Sequence, residues 1–173
     1  MKKIFILGLF LILLPFVGLS ADNIKENTYR TANRLFHIAR SANRNLVCYD
    51  VNMKLDQLNP KEPLRVYWVD REQHPGKTDQ LNYIQKKLAY GYKLIETNGN
   101  ECTISLTAYP SRRLTIKRYK NEYACFVMIN NRLAILQSLY VKAHEHNPLN
   151  VLYVELRGIT VDTQEQVTER VKR

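Results

Sequence analysis

The sequence predicts a mainly β domain, built as an antiparallel barrel-like meander or a two-sheet sandwich of about nine strands, with one internal helix and a short C-terminal helix. Three observations carry this prediction. Apolar and polar residues alternate with period two in segment after segment. Turn formers such as Asn98-Gly99 and Asn130-Asn131 divide those segments at short intervals. A single internal stretch shows helical spacing.

Residues 35–40 and 46–53 form the first two strands, joined by a turn at Ser41-Ala42-Asn43-Arg44. That turn makes opposed residue numbers sum to 85 and sets His37 across from Cys48. A polar, proline-bounded loop follows, then a third strand over 64–70 and a breaker at His74-Pro75-Gly76. Over 78–88, Thr78 can cap a helix whose Leu81, Ile84 and Leu88 share one face, and Gly91 is a natural stop. Strands over 92–96 and 102–108 flank Asn98-Gly99, and strands over 114–119, 123–129, 133–142 and 151–158 follow through tight turns. Thr163-Gln164-Glu165-Gln166 reads as a capping box opening a C-terminal helix, with Val167 and Val171 on one side.

The N-terminus has the three parts of a signal peptide. Lys2 and Lys3 precede an apolar run over 4–17, and Gly18-Leu19-Ser20 offers a cleavage site before Ala21. The expected organisation is a signal peptide over 1–20 and a single β-rich domain over 21–173, delivered to the periplasm or secreted. No cysteine stands at the cleavage site for lipid attachment, and no second long apolar run is present. Thr103, Ser105 and Thr107 alternate with Ile104, Leu106 and Ala108, a polar-out pattern unlike the lipid-facing band of a transmembrane barrel.

Without Lys2 and Lys3 the chain keeps 24 basic residues against 16 acidic ones, a balance of +8. In an exported protein that charge points to anionic lipid, glycolipid or glycan and not to nucleic acid. The alternative is a solvated basic surface with no specific partner. Cys48, Cys102 and Cys125 are odd in number and form no C-x-x-C pair, so neither a disulfide scaffold nor a zinc clip is indicated.

The segments at 36–45 (FHIARSANRN), 66–69 (VYWV) and 88–92 (LAYGY) occur in that order. Together they resemble a family of small exported Bacteroidetes proteins defined as a domain of unknown function, over roughly residues 35–160. The resemblance implies an envelope protein of that bacterial group. It brings no activity and no catalytic residues.

Three sets of residues are candidates for a site. His37 and Cys48, with Asp50 beside them, are the suspects for thiol-based catalysis; a structural His beside a buried Cys is the plainer reading. Tyr67, Trp68, Tyr90 and Tyr92 form an aromatic group that could seat a sugar or lipid, or serve as ordinary packing. Arg113 and Lys117 share one face of a basic hairpin, with Arg112 and Arg118 on the other, suited to phosphate or carboxylate or to guarding a strand edge. Asp70, Glu72 and His74 make a poor metal set, and no metal or other cofactor is expected. Hydrolase, metalloprotease, P-loop and dinucleotide motifs are missing from the sequence. The expected function is therefore a non-catalytic envelope protein that binds an anionic or amphipathic ligand. An envelope lipid- or glycan-acting enzyme and a subunit pairing through a strand edge are the alternatives.

Overall fold

A computed structural model describes residues 31–172. The expected signal peptide and cleavage site, with residues 21–30 and 173, lie outside the described residues. The chain over 31–172 runs β1 (Arg34–Arg40), β2 (Asn43–Val51), β3 (Met53–Lys54), β4 (Gln57–Leu58), β5 (Leu64–Val69) and β6 (Thr78–Gln80). A helix follows, α1, with an α turn at Tyr83–Gln85 that widens to π over Lys86–Tyr90. Then come β7 (Tyr92–Asn98), β8 (Glu101–Leu106), β9 (Tyr109–Tyr119), β10 (Glu122–Ile129), β11 (Arg132–His144), β12 (Asn147–Thr160) and β13 (Gln166–Lys172).

Eleven strands form one sheet, which curls into a half-barrel. Its main path is β6-β5-β2-β1-β11-β10-β9-β8-β7, and β12 and β13 branch from the free side of β11. The one continuous sheet replaces the two-sheet alternative. From β7 to β12 each strand pairs antiparallel with the next, the meander its tight turns predict, and β13 extends it beyond that expectation. Both residues of the Asn130-Asn131 turn take positive φ, 48° and 61°. The Asn98-Gly99 hairpin closes one residue later than expected: Asn98 pairs with Glu101, and Gly99 takes φ 58° in the turn.

The sheet is not wholly antiparallel, because β1 runs parallel to β11 over His37–Arg40 and Ser138–Val141. The 13 residues of β11 are the reason. Its first part pairs with β10 through Ile135 and Arg132, and its later part is left to receive β1. The β1–β2 hairpin has the expected pairs, His37 opposite Cys48 and Ile38 opposite Val47, but its turn is the shorter Ser41-Ala42: Arg40 pairs with Asn43, and a bulge at Arg44-Asn45 restores the register.

Two helix expectations are corrected. Residues 166–172 form β13 along β12 and not a helix. The side chains at 163–165 close a turn instead of capping: the Glu165 N–H donates to Thr160 Oγ1, and Thr163 Oγ1 donates to Glu165. Val167, Glu169 and Val171 then alternate with the exposed Thr168, Arg170 and Lys172, a strand pattern that the open edge of β12 selects. The internal helix starts later than Thr78, which joins β6 and pairs with Val69. Asn82 is the N-cap, in a reciprocal capping box with Gln85. Of the expected core face only Leu81 is buried; Ile84 and Leu88 stand in solvent.

The inner face of the half-barrel holds the core. Phe36 stacks on Tyr49 with centroids 4.4 Å apart, and Ile104, Ile116, Ile129, Leu136 and Leu156 complete it across the meander. Leu58 of the β3–β4 hairpin inserts into this core, and Arg118 of β9 bonds the Asp56 carbonyl at the hairpin tip.

Candidate functional site

The curl brings β5 and β7 face to face without a ladder between them. A cleft of about 860 Å³ opens along this seam, within the size range of small-molecule sites. Leu64 to Tyr67 of β5 form one wall and Tyr92 and Leu94 of β7 the other, with Tyr83, Lys86 and Lys87 of α1 across the end. The Tyr92 hydroxyl holds the seam together: it accepts the Leu64 N–H and donates to the Leu64 carbonyl, each at 3.2 Å.

The lining has two chemistries. Leu64, Val66, Leu94 and the rings of Tyr67, Tyr83 and Tyr92 offer apolar surface. Lys61, Arg65, Lys86 and Lys87 set four cations around it, against the single carboxylate of Glu62. An apolar surface rimmed by cations accommodates a ligand with a hydrocarbon part and an acidic part.

Local sequence shapes α1 into its place. The wide π turn ends when the Gly91 N–H donates to the Lys86 carbonyl at 2.9 Å. A Cβ at Gly91 would lie 2.1 Å from that same oxygen, so glycine is required for this close approach. The Gly91 carbonyl then accepts the Thr107 N–H at 2.9 Å and ties the helix end to the β8–β9 turn. Such π turns occur often at functional sites.

Tyr67 and Tyr92 line the cleft, as two of the four aromatic candidates. Trp68 and Tyr90 pack beside it, edge to face at 5.1 Å. The Trp68 indole donates to Gln85 Oε1 at 3.3 Å, and the Tyr90 hydroxyl accepts from Arg40 at 2.9 Å. They position α1. Arg113 and Lys117 lie outside the cleft lining, on β9. Lys117 sits opposite Ala124, with its ammonium 5.1 Å from the Phe126 ring centre.

Sequence patterning does not mark Lys61, Arg65, Tyr83, Lys86 and Lys87 as site residues. The one available signal is that Lys86 and Lys87 have no carboxylate three or four residues away to pair them. Lys61 and Arg65 have no such signal, because the curl of the sheet alone brings them to α1.

Cys48 faces a different environment. It is fully buried, beside Arg34, which is ion-paired to Asp50. Asp50 Oδ2 accepts from Tyr67 Oη at 2.6 Å and from Thr31 Oγ1 at 3.0 Å, and Tyr67 Oη accepts from Arg34 at 2.9 Å. Burial pushes the Cys48 thiol up to about 12, and the Arg34 guanidinium offsets only part of that. The thiol therefore stays protonated near neutrality, while Asp50 is held in a hydrogen-bonded ion pair. This arrangement is suited to anchoring β1 on β2 and β5 more than to nucleophilic chemistry. Asp70 serves the β5–β6 loop: its carboxylate accepts the N–H groups of Glu72, Gln73 and His74 at 2.8, 3.1 and 2.9 Å, which holds its pKa below the usual range.

A family model described as a domain of unknown function, DUF4833, covers residues 36–170. No curated protein and no solved structure matches the chain. Among the described residues no helix is long and apolar enough to cross a membrane.

Proposed function

The chain belongs to the family of the domain of unknown function DUF4833, and on that premise, which carries no activity with it, we propose that it is a non-catalytic binding protein for an anionic amphipathic ligand of the cell envelope. The observation that carries this reading is the seam cleft, where four cations and one carboxylate surround an apolar and aromatic surface. A lipid or glycolipid with an acidic head group matches both chemistries. The envelope as the setting is supported by the signal-peptide pattern over residues 1–20.

The test is calorimetric titration with a single-chain lipid below its micelle concentration, in acidic and zwitterionic forms that share one tail. The acidic form is expected to bind more tightly, and its advantage to shrink as salt is raised. Changing Arg65 or Lys86 to Ala should each weaken binding of the acidic form about fivefold, the value of a rim charge worth about 1 kcal/mol. Equal affinity for both forms, or no binding of either at low salt, would overturn the reading.

A further inference from the structure

Tyr83, Lys86 and Lys87 of α1 border the cleft, but the exposure of Ile84 and Leu88 beside them is explained by neither the fold nor the cleft. The capping box at Asn82 and the terminal bond at Gly91 fix the rotation of the helix about its axis. Leu81 and Tyr90 face the core, at 5 and 7 % exposure. Ile84 and Leu88, one helical turn apart, are left 65 and 68 % exposed, and neighbouring Tyr83 73 %. Single exposed apolar residues are ordinary, but three on one eight-residue helix at the mouth of a cleft form a patch.

Charge distinguishes between the possible occupants. Residues 80–95 include three lysines, Lys86, Lys87 and Lys93, and no Asp or Glu. On the adjoining cleft rim Lys61 and Arg65 add two cations against the one carboxylate of Glu62. A second copy seated symmetrically on this face would set Lys86 and Lys87 against their own equivalents, a like-charge contact that costs affinity. An anionic bilayer presents the opposite charge, and it takes up Ile, Leu and Tyr side chains at the depth where lysine ammonium groups meet head groups.

We propose that the outer face of α1 docks on an anionic lipid bilayer, with Ile84, Leu88 and the Tyr83 ring entering the interface and Lys86 and Lys87 meeting the head groups. Docking sets the mouth of the cleft at the membrane surface, where an acidic amphiphile can pass between bilayer and protein. That purpose rests on the cleft reading, whereas the surface itself stands on exposure and charge.

The experiment is co-sedimentation of the protein with vesicles of phosphatidylcholine alone or mixed with phosphatidylglycerol. Wild type is expected on the mixed vesicles and not on phosphatidylcholine, with binding lost as salt rises. An Ile84→Ser, Leu88→Ser double variant should bind at least about tenfold more weakly, since two aliphatic side chains no longer leave water. Neither residue lines the cleft, so this variant should keep the thermal midpoint and the single-chain lipid affinity of wild type. An Ile84→Leu, Leu88→Ile variant should bind vesicles like wild type. Undiminished vesicle binding by the serine variant overturns the proposal. So does a serine variant that turns a dimer into a monomer while binding vesicles as before, because the face is then covered by a second copy. Vesicle binding that depends on Ile84 and Leu88 in a protein that takes up no single-chain lipid would uphold docking and defeat the cleft reading alone.

Discussion

The Tyr92 hydroxyl satisfies both backbone groups of Leu64, accepting its N–H and donating to its carbonyl, each at 3.2 Å. One side chain thus does at the seam what a ladder of backbone bonds does elsewhere in the sheet. It joins β7, at one margin of the half-barrel, to β5 near the other while leaving room between them for the cleft. Burial pushes the Tyr92 phenol up to about 12, so the bridging form persists well above neutral pH.

Removing that bridge should loosen the seam. Tyr92→Phe is expected to cost about 1–2 kcal/mol in denaturant unfolding, the price of leaving the Leu64 groups unmatched. Hydrogen exchange at the Leu64 amide should rise selectively. A phenol raised from 10 contributes stability that is complete below pH 10 and lost as pH climbs through about 12. The alkaline loss should be smaller in Tyr92→Phe than in wild type, the remainder coming from the other buried phenols and thiols. Unchanged Leu64 exchange in the variant would count against the bridge.

Gly91→Ala should be more damaging. Its Cβ would meet the Lys86 carbonyl at 2.1 Å, on the backbone bond that ends α1. The helix must shift or the bond must break, at about 2–4 kcal/mol in thermal or denaturant unfolding. Because the shift moves Lys86 and Lys87, single-chain lipid affinity should fall along with stability.

The three cysteines should be silent in the native protein. Burial raises Cys48 to about 12, Cys102 to about 11 and Cys125 higher still. At pH 8 the thiolate fraction at Cys48 is on the order of one in ten thousand. Iodoacetamide at that pH should modify none of the three until denaturant is added, and then all three. Rapid native labelling of Cys48 would instead revive the His37–Cys48 pair as a reactive site.

Stability should fall in acid through Glu155. Hydrogen bonds from Arg170 and Arg157, at 2.7–3.1 Å, hold its carboxyl below the usual range. A depressed carboxylate contributes stability that is present above its unfolded pKa of about 4.3 and lost as pH falls through the lower folded value. Glu155→Gln is expected to cost about 1–2 kcal/mol at pH 7. The gap from wild type in thermal midpoint should close as pH drops below about 4. A gap of constant size down to pH 2 would show that the charge of Glu155 is not what holds β12 to β13.

Much of the sheet was legible in the residues. The expected pairing of His37 with Cys48 is present, but the turn is Ser41-Ala42 and a bulge after the Arg40–Asn43 pair restores the register that a 41–44 turn would give. The Lys120-Asn121 turn set Lys117 against Ala124. The C-terminal strand was not legible, since Thr163 and Glu165 suit a cap and a turn equally well. Only the open edge of β12 decided between them.

By itself, then, the sequence determined the β class, the meander from β7 to β12, the pairing in the first hairpin and the basic charge. These follow from period-two patterning and turn chemistry, which act between near neighbours. Tertiary structure alone decided the parallel β1–β11 pair, the curl, and the cleft. Arg65 and Lys86 are 21 positions apart, and no local rule relates them. It also decided the fate of Ile84 and Leu88. Helical spacing says that two such residues share a face, but which face meets the core depends on what the rest of the sheet has already buried.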